Sequence, residues 1–455
     1  MHRLKKAFIL LMCFAFSFNL CSCGFTPDDD TTIITIWSSS TSGKAAYENL
    51  IDSFNNSVGL ANNIYINYET KDSLIFKDEL IKAFESGTAP DMFTGFSSDF
   101  IEQGRVAAIE DIDGGQEFLE SFEEIPLRAE NSYDGKVYCL PVSVTTHGLL
   151  YNKDMFIKAG LVDENGDPDP PETFDELREY AKILTNPAKD EYGIVLPLKW
   201  SSWYGSDIRS PMMSSCGYQE FNPVTGLYDY SGAVPIMKTF LGIKDDKSYV
   251  PGADTLDNDT ARALFASGGV GMKFAFSFDA GVLNDQFPAD IDWGVAPLPV
   301  VDKANRYKQR MSYGYTFCVN SEALEKIEHR KLIEVLKFFT SGDTIRKLYS
   351  NGTTIPFDLA VIENVDNVVH KNGWQEFCEL VKISEIYPEM PQNNLIATER
   401  IDTVFMEEVW TGKITPEECA QKCADLINKS VMEHYLKLPD EEFDKFIIPD
   451  WDIKI

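Results

Sequence analysis

The chain has 455 residues, too many for one comfortable hydrophobic core, so two lobes are the default expectation. With 72 acidic against 41 basic residues it carries a formal net charge of −31, which argues against nucleic acid and anionic membrane surfaces as partners. An apolar content of 44% is that of a globular protein, and no internal repeat or low-complexity block interrupts it.

The chain opens with Arg3, Lys5 and Lys6, followed by an apolar run from Ala7 to Phe18. That run is too short to span a bilayer and has the length of a signal-peptide core. Leu20, Cys21, Ser22 and Cys23 then read L-C-S-C, which looks like a bacterial lipobox. Residues 1–22 are therefore expected to leave as a signal peptide and Cys23 to carry lipid. The mature chain is then soluble but anchored at the extracellular face of the cell membrane, touching the membrane through that lipid only. Residues 23–32, with Pro27 and the run Asp28 to Asp30, form the expected lipidated start and acidic tether.

A short β-rich run, Ile33 to Trp37, precedes a helical pattern through Tyr47, Leu50, Ile51 and Phe54 and a second strand at Ile64 to Tyr68. This is a βαβ unit, which implies parallel strands. Ser73 can cap a helix from Leu74 to Glu85 that stops at Ser86-Gly87, and Ala89 to Phe93 reads as a buried strand. Strand and helix alternate to Val106–Ile109; Tyr133-Asp134-Gly135-Lys136 is a turn signal, followed by apolar runs at Val137 to Val142 and Leu149 to Tyr151. Thr173 with Glu176, and Thr415 with Glu418, spell capping boxes. Between them lie a helix ending at Phe265 to Gly268, a strand Val270 to Phe276, and one helix running from Ser321 through Phe339.

No catalytic signature is present: no G-x-S-x-G, H-E-x-x-H, phosphate loop or strand-borne G-x-G-x-x-G. The chain is read as a non-enzyme with no cofactor and no metal. Of nine cysteines, six remain once Cys13, Cys21 and Cys23 are assigned to the leader and the lipid, and Cys419 and Cys423 share a helix face without histidines to complete a metal site. Asp163 to Asp167 is rich in oxygen ligands, but its glycine falls too early for a calcium loop, and a solvated turn fits better. Aromatics are abundant, with 7 Trp, 19 Tyr and 30 Phe. Trp200, Trp203 and Tyr204 stand in the polar stretch KWSSWYGSD, where flat rings either stack on a sugar or plug the loop onto the core. Trp203 and Tyr204 are taken as site candidates.

Seven stretches, in order, carry a family resemblance. They are ITIW at Ile34–Trp37, SGTAPDMF at Ser86–Phe93, DGKVYCLPVSVTTHGLLYNKDMF at Asp134–Phe156, PPETFDEL at Pro170–Leu177, FASGGVGM at Phe265–Met272, WGVAPLP at Trp293–Pro299 and TGKITPEE at Thr411–Glu418. Together the sequence resembles the family 1 extracellular solute-binding proteins of ABC importers, the group that includes maltose-binding protein. The resemblance implies an α/β, two-lobed periplasmic-binding-protein-like fold of type II, with crossing segments as hinge and a ligand cleft between the lobes. It implies lobe I from 33–143 and 313–354 and lobe II from 147–311 and 357–455. It also implies a small-molecule ligand, an oligosaccharide by this reading, delivered by a monomer to the permease transmembrane subunits. A glycerophosphodiester or peptide is the alternative solute, and a surface glycosidase the alternative class.

Site residues carry over only where motifs align. Phe96 and Ser97 fall in a loop resembling a family ligand loop; Thr145 and His147 fall in the first crossing; Phe278 stands where many members have a sugar-stacking tryptophan, beside Asp279, which could accept sugar hydroxyls. Tyr313 and Gly314 lie at the second crossing, and Trp37 ends the first strand. Thr145 stands where maltose-binding relatives often have an acidic residue, which speaks against a malto-oligosaccharide. The loops named carry little positive charge, which favours a neutral ligand over a phosphate.

Overall fold

The structure, a computed structural model, describes residues 30–455 apart from 40–42, 73–74, 96, 123–130, 315, 363–364, 366–367, 369–370, 389, 392–399 and 440. The signal peptide, Cys23 and most of the tether lie outside these described residues, as does Phe96.

The strand Thr32–Ser38 turns Ile34, Ile36 and Ser38 inward in strict alternation. It pairs in parallel with Ile64–Thr70, from Thr32 opposite Ile64 to Ser38 opposite Thr70. The connecting helix Lys44–Phe54 buries Tyr47, Leu50, Ile51 and Phe54, the one-sided spacing expected of a crossover helix. This sheet runs Ile64–Thr70, Thr32–Ser38, Met92–Thr94, Thr316–Asn320, Val106–Ala107, with Cys139–Pro141 also paired to Thr316–Asn320. The strand from residue 316 returns antiparallel between segments more than 170 residues earlier in the chain, which closes the first lobe.

The second lobe is built on Tyr192–Val195, Val270–Phe276, His147–Asn152 and Trp293–Ala296, in that order across the sheet. Only the first pair is parallel. Both capping boxes form, Thr173 on the helix Phe174–Leu184 and Thr415 on the helix Pro416–Tyr435. Each such cap is worth about 1 kcal/mol. Cys419 and Cys423 are buried in the second of these helices, in the core of this lobe. The Tyr133 to Lys136 turn joins two short antiparallel strands through Asp134 at φ 50° and Gly135 at φ 75°, the left-handed pair a tight hairpin requires.

Two helices differ from expectation. The first runs from Phe76 to Ser86, with Gly87 at φ 70° as its left-handed cap, while the expected cap Ser73 and start Leu74 lie outside the described residues. The segment after Ser321 is two helices, Ala323–Lys326 and His329–Thr340. Ile327 takes an extended conformation, φ −121° and ψ 136°, and is buried in the first lobe's core, so burial of one β-branched side chain interrupts the helical run.

Three segments run side by side between the lobes. Val144–Thr145 pairs antiparallel with Gln309–Tyr313, placing Thr145 opposite Ser312 and Val144 opposite Tyr313. Val144 also bridges Ile355, its N–H donating to the Ile355 carbonyl at 2.9 Å. Gly314 N–H donates to the Ser143 carbonyl at 2.8 Å, and a Cβ at Gly314 would collide with Ser143 Oγ. The glycine is what lets these two crossings approach.

Candidate functional site

A cavity of about 860 Å³ opens between the lobes, large enough for an oligomeric small molecule. Its first-lobe wall is Ser39, Thr94 and Gly95, at the carboxyl ends of the strands Thr32–Ser38 and Met92–Thr94, where α/β sheets gather ligands. Ser39 N–H donates to Thr94 Oγ1 at 3.0 Å, which fixes that wall. The crossings supply its back through Val144, Thr145, Gly314 and Ile355. The second lobe contributes Lys199, Trp200, Asn258, Arg262, Phe278 and Trp374.

Both cations on this wall are engaged. Lys199 Nζ donates to Asp257 at 3.3 Å, and Arg262 reaches Asp259 at 2.6 Å and Asp279 at 2.7 Å. Asp279 is fully buried and holds three groups: the Arg262 guanidinium, the Phe276 N–H and, at 3.6 Å, the buried Lys273 ammonium. Burial, partly offset by Asp279, brings Lys273 down to about 8. The Arg262 guanidinium carbon also lies 5.6 Å from the Phe278 ring centroid, and Phe276 stacks on that ring at 4.8 Å.

Thr145, Phe278 and Gly314 are the sequence-derived candidates that line the cavity. The other candidates among the described residues sit elsewhere. Trp203 and Tyr204 are in the second-lobe core, Tyr204 stacked on Phe405 with centroids 3.9 Å apart. Asp279 lies behind the wall as the anchor of Arg262. His147 is buried against Phe276, its Nδ1 3.3 Å from the Arg310 carbonyl; burial lowers its pKa to about 4, so its ring is neutral near pH 7. Tyr313 is buried edge-on to Phe357 at the crossings. Trp37 packs in a first-lobe cluster with Lys71 Nζ 4.1 Å over its ring. Ser97 precedes the helix Ser98–Glu102 and is not part of the lining. The turn at Asp163 is self-contained: its carboxylate accepts from the N–H groups of Asn165 and Asp167.

Sequence reasoning missed Trp200, the exposed ring of its own aromatic stretch, as well as Asn258 and Trp374. For Trp200 a signal existed. Tyr204, Ile208 and Met212 recur every four residues and are all fully buried, marking a core-facing helical stripe that takes Tyr204 and its neighbour Trp203 with it. Trp200 precedes that helix and is 57% exposed on the cavity wall.

The profile describing the bacterial extracellular solute-binding proteins matches residues 37–345. The chain belongs to this family. It is a solute-binding protein of an ABC importer. A binding protein of Brucella abortus (strain 2308) is 26% identical over 377 residues, 79% of this chain and 84% of that one. The maltotriose-binding protein of Pyrococcus abyssi is 25% identical over 332 residues, 72% and 67% of the two chains. The sn-glycerol-3-phosphate-binding periplasmic protein of Salmonella typhimurium is 24% identical over 374 residues, 77% and 81%. Among solved structures, the GacH receptor of Streptomyces glaucescens, solved unliganded and with acarbose, superimposes with a TM-score of 0.68 at 19% identity, covering 89% of this chain and 99% of that one. That likeness establishes the two-lobed fold.

Proposed function

We propose that this solute-binding protein captures a neutral carbohydrate, an oligosaccharide by size of cavity, between its lobes and hands the closed complex to the permease subunits without changing it chemically. The observation that carries the reading is the character of the second-lobe wall: the Trp200 indole is 57% exposed, with Lys199 Nζ 5.2 Å from its ring centroid on one side, while Lys199 and Arg262 are already paired with carboxylates. An exposed ring face suits the apolar face of a pyranose, and a wall without free cations gives a phosphate little to bind. The relatives named for maltotriose and the acarbose-binding receptor support a sugar; those named for sn-glycerol 3-phosphate set the alternative.

In this reading lobe I spans 33–143 and 313–354, lobe II spans 147–311 and 357–455, and ligand contacts on both walls favour the closed state. The protein works as a monomer, tethered outside the cell through lipid on Cys23. Membrane fractionation with lipid labelling tests the anchor: Cys23→Ala is expected to abolish label, and undiminished label overturns it.

Calorimetric titration of the chain from residue 24 with maltotriose, chitotriose and sn-glycerol 3-phosphate, at low and high salt, tests the ligand class. Binding of a neutral sugar with little salt dependence is expected. Binding of glycerol phosphate alone, weakened by salt, overturns the reading.

A further inference from the structure

Among the described residues, two polar atoms on the second-lobe wall have no hydrogen-bond partner. Trp374 is 3% exposed, lines the cavity, and its indole Nε1–H meets no acceptor. Asn258, also on the lining, has its Oδ1 shielded from solvent with no donor. Buried groups of this kind are almost always paired in native proteins, because leaving one unmade forfeits the hydrogen bond it had in water.

Local structure accounts for how each residue is placed. Trp374 is the first residue of the helix Trp374–Val381 and follows Gly373, whose φ of 75° and close approach to the Trp293 ring press the backbone onto the sheet. Its ring lies 6.0 Å from that of Tyr349 within the same buried cluster. Asn258 opens the helix Asn258–Ala266, but the capping role is taken by Asp257, which accepts the Thr260 N–H at 2.9 Å. The Asn258 amide oxygen is not needed there.

We propose that Trp374 Nε1–H and Asn258 Oδ1 are the donor and acceptor that recognise hydroxyl groups of the bound ligand, while Trp200 offers a ring face. The inference rests on the carbohydrate reading above and sharpens it. Each hydroxyl both donates and accepts, so a polyhydroxylated ring satisfies an unpaired donor and an unpaired acceptor on one wall. A solute that carries no hydroxyl offers Asn258 Oδ1 no donor of this kind. The pair therefore favours a ligand rich in hydroxyl groups.

The test uses maltotriose and chitotriose as probes, with the wild-type chain, Trp374→Phe and Asn258→Leu. Affinity is read by calorimetry, and the Trp374 indole N–H, assigned from its loss in Trp374→Phe, by ¹⁵N–¹H spectra and hydrogen exchange. Expected are at least a fivefold loss of affinity in each variant at a temperature where melting curves show it folded, and, in the wild type, a shifted indole resonance whose exchange slows on probe binding. A probe that binds the wild type without moving that resonance, or binds both variants equally well, overturns the assignment and leaves the carbohydrate reading intact. If no neutral oligosaccharide binds the wild type, the carbohydrate reading fails and the assignment fails with it.

Discussion

Trp200 and Trp203 are joined by a backbone hydrogen bond, Trp203 N–H to the Trp200 carbonyl at 3.1 Å, yet one lines the cavity and the other lies in the lobe core. Their exposures, 57% and 5%, separate two kinds of aromatic that composition cannot tell apart. Trp200→Ala is expected to weaken sugar binding by about 1–3 kcal/mol with little change in melting temperature, in the range of contact truncations. Trp203→Ala is expected to cost roughly 3–5 kcal/mol of stability and to affect binding only indirectly. Calorimetry and melting curves on both variants check this; equal affinity of Trp200→Ala and wild type would remove the stacking role.

Asp279 is expected to be structural in effect. Its carboxylate joins Arg262 from the helix Asn258–Ala266 to Lys273 on the central strand. Asp279→Asn leaves the buried Lys273 ammonium without its carboxylate and Arg262 with Asp259 as its remaining one, and breaking a buried pair from one side costs about 3–5 kcal/mol. Urea unfolding of the variant measures it, and a loss under about 1 kcal/mol would show that water reaches the cluster.

The backbone architecture was largely legible because its signals are local. Alternation in Thr32–Ser38, the spacing of Tyr47, Leu50, Ile51 and Phe54, and the threonine–glutamate pairs at residues 173 and 415 each reside within one turn or one strand. What failed depended on distant packing. Ile327 breaks a helical pattern because a core lies beneath it, and Trp374 is buried in a cluster with Trp293 and Tyr349 that no local pattern marks. Candidates carried over by position fared according to depth: Thr145, Phe278 and Gly314 reach the cavity, whereas Tyr313, beside Gly314, turns into the core.

The crossings make a further prediction. Gly314→Ala places a methyl against Ser143 Oγ, where the nearest remaining atoms of Ser143 are at 3.4–3.5 Å. Overpacking of this kind typically costs 1–3 kcal/mol. Ser143→Ala in the same chain removes the colliding oxygen, so the double variant is expected to recover most of the loss. Urea unfolding of the two single variants and the double variant gives the coupling energy, and strictly additive effects would show that the two crossings do not constrain one another.

His147 gives the chain an acid-sensitive element. Its imidazole is neutral in the folded state because burial penalises the charged form, an effect the nearby Arg310 carbonyl only partly offsets, and its pKa falls from 6.5 to about 4. Between these values the unfolded chain binds a proton that the folded chain refuses, so stability falls as pH drops from about 6.5 toward 4 and levels off below that. Above about 6.5 the group contributes no pH dependence. The full window corresponds to about 3 kcal/mol. His147→Gln keeps a group able to donate to the Arg310 carbonyl but cannot titrate. Between pH 7 and 4.5 the wild type is expected to lose about 2–3 kcal/mol more than the variant in urea unfolding, other carboxylate contributions being common to both. Parallel losses in the two proteins would place the acid sensitivity elsewhere.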